Sequence, residues 1–259
     1  MHSGSQGLEE IQVGIMITAP NLPKKRITLC AAALESKLLS SLNALGIEVL
    51  SPVPCPELSD EVSFHADMLI CHAGENIIFI EPTQKKLSEK LKALGFSVRF
   101  SEILEKKYPG DVKLNFAVSE DFILGNFASA DKKLLEYFKE SGKKLINVKQ
   151  GYAKCSLCFV TENAFITEDE AIADVLKNEG KDVLLISKGD IYLSERHYGF
   201  FGGASGKISQ QTLALTGSID FHSDKENILL FLKKHSIELY ELTHGKIRDI
   251  GGILPLTEE

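Results

Sequence analysis

The chain has 259 residues, 44% of them hydrophobic and 25% charged, with a net charge of −7 and no Trp. That length buries roughly 70% or more of the unfolded surface in one large domain, and the acidic balance disfavours nucleic acid or an anionic membrane, which want a basic face. Its longest apolar runs, such as "DVLLI" and "NIIFI", are far too short to span a bilayer.

In chain order, "MHSGSQGLEE" (1–10) has no apolar core or cleavage signature and is expected to be a mobile tail, leaving 11–259 as a single domain. Next come a strand in "IQVGIMIT", a helix in "RITLCAAALESKLLSSLNAL", Gly46 and a strand in "IEVL". From residue 65 a unit repeats: strand, turn, strand, amphipathic helix, glycine, strand. The first copy reads "HADMLI", "IIFI", "TQKKLSEKLKAL", Gly95, "FSVRF". The second reads "GDVKLNFAV", "FILG", "ADKKLLEYFKES", Gly142, "KKLINV". The third reads "AKCSLCFV", "AFIT", "EDEAIADVLKNE", Gly180, "KDVLLIS". The fourth reads "GGASGKIS", "TLALTG", "SDKENILLFLKKH", "SIELYEL", with His235 near the glycine position. "DIGGILPL" at the C-terminus supplies the first strand of a fifth unit whose remainder is the N-terminal stretch.

The glycines suit left-handed helix caps, and "TEDE" and "SDKE" match the capping-box pattern. One helix on one small sheet cannot bury its apolar face alone; five units in a ring can. The competing architecture, a doubly wound sheet, would not place two strands before every helix.

Aligning the first strands on their polar positions puts Asp67, Asp111, Cys155, Ser205 and Gly252 in one register. Residues two apart on a strand share a face, so His65 would lie beside Asp67 and Lys113 beside Asp111. Buried charge is expensive unless paired or used, which makes the centre of the ring the place to expect a site. Structural readings compete at each position: His65 as a strand cap, Asp111 as a turn residue after "YPG", Cys155 as a small hydrophobe, Asp249 as a surface partner of Arg248.

Five αβ units, glycines after helices, His-x-Asp on an inner strand and a "DIGGILPLT" terminus together resemble the pentein fold of guanidino-group modifying enzymes. The fold expected is therefore a five-fold pseudosymmetric α/β propeller closed by the two chain ends. The resemblance implies a cysteine thiolate attacking a guanidinium carbon, a proton-shuttling histidine, and carboxylates matching the planar guanidinium. In plain chain order the family's "GG-x-x-Cys" falls on "GGILPLT", which has Pro255 in the nucleophile's place; the expectation is then a non-catalytic binding or scaffold protein. In a rotated order Cys155, two units after His65 and Asp67, becomes the nucleophile. It is then joined by His65 and Asp67 as catalytic residues and by Asp111, Lys113, Ser205 and Asp249 as substrate contacts. The expected ligand is a small cationic molecule, with no cofactor, metal, nucleic acid or membrane, in a monomer or homodimer.

Two other motifs fail on spacing. "CSLC" (155–158) directs its thiols to opposite faces of a strand, and no second Cys pair completes a zinc site. "YGFFGGASGK" (198–207) lacks both the first glycine and the Ser/Thr of a phosphate loop; its glycines are expected to serve close backbone approach. The odd count of five cysteines suggests free thiols and a cytoplasmic location.

Overall fold

The computed structural model describes residues 14–33 and 35–259; the tail expected at 1–10 lies outside them. The N-terminal part gives β1 (Ile15–Met16), β2 (Ile27–Ala31), α1 (Ser36–Ala44) and β3 (Glu48–Leu50). A short helical turn, α2 (Ala66–Leu69), opens the first full unit, followed by β4 (Ile70–Gly74), β5 (Ile77–Ile80), α3 (Lys85–Ala93) and β6 (Ser97–Phe100). The second unit is β7 (Ala117–Val118), β8 (Phe122–Gly125), α4 (Lys132–Glu140) and β9 (Lys144–Asn147). The third is β10 (Leu157–Thr161), β11 (Ala164–Thr167), α5 (Glu170–Asn178) and β12 (Asp182–Leu185). The fourth is β13 (Ser205–Lys207), β14 (Thr212–Leu215), α6 (Lys225–Lys234) and β15 (Glu238–Glu241), and β16 (Leu254–Glu258) ends the chain.

Each full unit is a three-stranded sheet whose first two strands pair antiparallel as a hairpin and whose third pairs parallel to the second. A parallel neighbour requires a crossover, which the helix supplies. To re-enter the sheet the chain must reverse after each helix, and Gly46, Gly95, Gly142 and Gly180 do so at φ +74, +95, +73 and +75. In the fourth unit Ser236, one residue past His235, takes this left-handed position at φ +56.

The fifth unit is split as expected, with the order β1-β16-β2-β3: β16 pairs antiparallel with β2, and β2 parallel with β3. Its details correct the sequence reading. Ile27–Ala31, read as the start of a long helix, is the middle strand, and α1 begins only at Ser36. "IM" of the expected second strand is instead an edge strand on the far side of β16. A continuous apolar run such as "ITLCAAAL" carries no period that separates buried strand from helix; here the buried, β-branched half became the strand.

The apolar core is segmented. One cluster joins Cys71 and Phe79 to Phe116 and Phe138, another Phe122 to Phe165, and a third Ile166 to Leu213 and Ile228. The remaining two join Ile208 and Leu242 to Ile27 and Leu38, and Leu29 and Leu256 to Ile70 and Ile78. Every cluster therefore bridges consecutive units, including the fourth to the fifth and the fifth to the first, which closes the ring. Phe79, Phe122, Phe138, Phe165 and Phe201 are fully buried, each worth about 1.5–3 kcal/mol. The first strands face inward: β4 lies beside β7, and β13 between β10 and β16.

Candidate active site

The polar residues at the axis sit on the turns that lead into the first strands, not on the strands themselves. His65 caps α2 and Asp67 lies in its first turn; the amides of Met68 and Leu69 both donate to the His65 carbonyl, at 3.2 Å. The His-x-Asp pair therefore straddles the start of a helical turn, with His65 extended and Asp67 helical, which corrects the expectation of two side chains sharing one face of a strand. The strand pairings revise the register as well. Ile70, Leu157, Ser205 and Leu254 stand opposite Ile80, Thr167, Leu215 and Ala31, the last residues of their second strands. Three residues upstream lie Asp67, Lys154, Gly202 and Gly251, so Cys155 and Ser205 are not the counterparts of Asp67. Turns take up chain at a different rate from strands, and counting along an assumed strand slips accordingly.

Cys155, Asp67, His65 and Asp249 nevertheless lie close together. The Cys155 thiol donates to Asp67 Oδ2 at 2.9 Å, and Asn115 Nδ2 donates to Cys155 Sγ at 3.1 Å. His65 Nδ1 stands 3.6 Å from Asp249 Oδ1. Asp249 is itself held by the amides of Phe200 (2.9 Å) and Gly251 (3.0 Å), and Asp67 is fixed by its amide donating to the Gly251 carbonyl at 3.1 Å. His65, Asp67 and Cys155 are 2%, 4% and 3% exposed. First, third and fifth units thus meet in one buried thiol–carboxylate–imidazole–carboxylate group, although the sulfur's hydrogen bonds go to Asp67 and Asn115, not to His65.

The glycine-rich stretch explains how the backbone closes in. A Cβ at Gly203 would sit 2.2 Å from Asp249 Oδ1, one at Gly202 2.6 Å from the Cys155 carbonyl, and one at Gly251 2.4 Å from the His65 Cβ. These glycines serve close approach, as expected from the failed phosphate-loop match.

Other expected contacts are placed differently. Lys113 turns away from Asp111 to the Ile103 carbonyl (2.9 Å) and Glu105 (2.9 Å), so it does not join the axial group. Asp111 is buried and accepts from the Tyr152 hydroxyl at 2.6 Å. Ser205 donates to the Phe201 carbonyl at 2.7 Å, inside its own loop. The helix starts were also misassigned: Asp169, not Thr167, caps α5, accepting from the Ile172 amide at 3.0 Å, and Ser223 bonds Asp190 rather than capping α6.

The site holds residues that sequence reasoning passed over: Asn115, Lys154, Tyr152 and Glu168. Glu168 lay inside "TEDE" and was read as part of a cap; its side chain turns inward to the Phe201 amide. Tyr152 stacks on Phe200, centroids 6.1 Å apart, and both pack against the cluster that contains Cys155. The signal for Asn115 was one polar residue inside the apolar "LNFAV".

Electrostatics at the hub favour neutral forms. Burial, then the charges of Asp67 and Asp249, push the Cys155 thiol well above its ordinary value. Asp67 is raised by burial and by Asp249, against the pull of His65 and Lys154. Glu168 is pushed up to about 8 by burial. Asp67 Oδ1, Asp111 Oδ1 and Glu168 Oε2 are buried without a hydrogen-bond partner among the described residues.

The hub is also tight. Two cavities of about 10 Å³ each lie there, sharing Asn21, Lys154 and Ile253 as walls; each is about the size of one water. A hollow of about 900 Å³ lies at the surface between Ser36, Tyr192 and Arg248 and contains none of the axial group.

The model of a family of unknown function, DUF6873, matches residues 29–254. The chain belongs to the DUF6873 family. No curated protein matches it. Among solved structures, it resembles the inosamine-phosphate amidinotransferase of Streptomyces griseus at 11% identity and a TM-score of 0.58, over 94% of this chain and 97% of that one. An agmatine deiminase of C. jejuni with substrate bound matches at 10% identity and 0.53, over 100% and 99%. DDAH from Pseudomonas aeruginosa complexed with citrulline matches at 9% and 0.51, over 83% and 92%. These likenesses establish the pentein fold for this DUF6873 chain. Among its described residues no helix is long and apolar enough to cross a membrane.

Proposed function

We propose that this DUF6873 protein is a cysteine-dependent hydrolase or transferase acting on a small cationic guanidino or amidino compound, with residues 11–259 as one domain in the cytoplasm. The observation that carries the reading is the buried Cys155 thiol 2.9 Å from Asp67, at the hub of a pentein ring. The unpartnered oxygens of Asp67 and Asp111 suit the donors of a guanidinium, which pairs with carboxylates through planar, charge-assisted hydrogen bonds. Five free thiols fit a reducing compartment.

In this reading the Cys155 sulfur bonds to the guanidinium carbon while its proton passes to Asp67. His65, oriented by Asp249, gives a proton to the departing nitrogen, which leaves as ammonia or an amine. Water, or an acceptor amine, then takes the carbon from sulfur. Burial, with the Asp67 and Asp249 charges, holds the resting thiol neutral; the substrate's own positive charge offsets those carboxylates, so the thiolate forms with substrate in place.

The test combines turnover with labelling. Cys155→Ala should abolish release of ureido product and amine from arginine-like compounds, and His65→Ala should lower kcat about 10²–10⁴-fold. A cationic haloacetamidine should alkylate Cys155 much faster than neutral iodoacetamide does. Unchanged turnover in both variants would overturn the assignment.

The closed hub favours a second reading, a binding or scaffold protein without chemistry, consistent with Pro255 lying in β16 opposite Cys30. It requires that no thiol be selectively alkylated by the haloacetamidine.

A further inference from the structure

Asn115 bonds both Asp67 and Cys155, and the mechanism above does not use it. It is 1% exposed. Its Nδ2 donates to the Asp67 carbonyl at 3.0 Å and to Cys155 Sγ at 3.1 Å. Its Oδ1 accepts from the Lys154 amide at 2.7 Å and the Cys155 amide at 3.3 Å. One amide group from the second unit thereby pins the Asp67 turn of the first unit to the Cys155 turn of the third. These partners also fix which end of the amide is which: two backbone N–H groups face one atom, so that atom is the oxygen, and the sulfur and a carbonyl face the nitrogen.

We propose that Asn115 is the positioning residue of the nucleophile: it holds Cys155 against Asp67 and supplies the hydrogen-bond donor that the sulfur needs once its proton has gone. A neutral thiol is a weak acceptor, whereas a thiolate is a strong one, and hydrogen bonding to the charged form favours that form. The sulfur has a base on one side, Asp67, and a donor on the other. The thiol proton can move to Asp67 without leaving a buried anion unpartnered. Cys30 and Cys71 provide the contrast within the same molecule: both are buried thiols held protonated by burial, and among the described residues neither bonds a side-chain amide. The inference rests on Cys155 being a nucleophile, but its readout does not require turnover.

Asn115→Asp tests it. Aspartate keeps an oxygen for the Lys154 and Cys155 amides but loses both donations, so the turns can stay joined while the sulfur loses its donor. Peptide mapping after alkylation of the folded protein by the cationic haloacetamidine across pH gives separate rates for Cys155, Cys30 and Cys71. Wild-type Cys155 should react at least tenfold faster than Cys30 or Cys71. In Asn115→Asp the Cys155 rate should fall at least tenfold at fixed pH, its pH profile moving upward by a unit or more, with Cys30 and Cys71 unchanged. Asn115→Gln, which retains a donor on a longer arm, should recover part of the rate where Asn115→Leu does not. If a folded Asn115→Asp variant keeps the wild-type profile, or wild-type Cys155 reacts no faster than the other two, the inference falls. A shifted profile in a protein that turns over no guanidino compound would sink the proposed activity and leave the role of Asn115 standing. Turnover with an unshifted profile would do the reverse.

Discussion

Glu168 shows how one buried acid ties stability to pH. Its carboxyl is 3% exposed, one oxygen takes the Phe201 amide, and the other has no partner. Burial raises it from 4.5 to about 8, so between those values the folded chain keeps a proton that the unfolded chain has lost. Folding stability from this group is complete below 4.5 and declines as pH rises toward 8. Glu168→Gln should remove that decline: melting temperatures near pH 5 should barely change, while those near pH 8 should rise, by about 2–4 °C per kcal/mol recovered. An unchanged difference between the two pH values would refute it. At this scale the sequence was partly legible. His65, Asp67 and Cys155 stood out because polar groups in apolar runs need a reason, and they do converge. Glu168 was masked by a plausible capping pattern. Asn115 acts through partners 39–48 residues away, and nothing local announces them.

At the level of elements, two left-handed glycines with the same φ separate backbone strain from crowding. Gly180 and Gly251 both lie at φ +75, but a Cβ at Gly180 meets nothing within 4 Å while one at Gly251 strikes His65 at 2.4 Å. Gly180→Ala should cost about 1–2 kcal/mol from conformation alone. Gly251→Ala should add an overpacking cost of about 1–3 kcal/mol and, by displacing His65, should also depress Cys155 labelling by a cationic reagent. Equal losses by thermal melting would contradict this. Helices α3 to α6 were readable from their amphipathic period, and the glycines after α3, α4 and α5 marked where those helices end. The strand β2 and the helical turn α2 were not: both are short, wholly apolar or nearly so, and take their conformation from neighbours distant in sequence. Ile27–Ala31 is a strand because β16 and β3 flank it.

For the whole molecule, β16 is the clasp. It pairs with β1 and β2 across more than 220 residues of chain, and Leu254 and Leu256 sit in the cluster joining the fifth unit to the first. Removing residues 254–259 should therefore do more than delete one strand: it exposes the edge of β2 and opens the cluster that joins the fifth unit to the first. We expect loss of the cooperative melting transition, read by circular dichroism, whereas deleting a comparable stretch outside the ring would leave it intact. A truncated chain that still melts sharply would mean the ring does not depend on closure. The repeat made this architecture visible from sequence, since a split unit at the two ends is a pattern that open sheets do not produce.

The pair of water-sized voids flanking Lys154 carries a kinetic meaning. Voids so narrow are too small for a guanidinium, so a ligand of that size entering beside Lys154 needs the spokes to spread first. Arrival would then be paced by that breathing, so the observed association rate would level off as ligand is added instead of climbing in proportion.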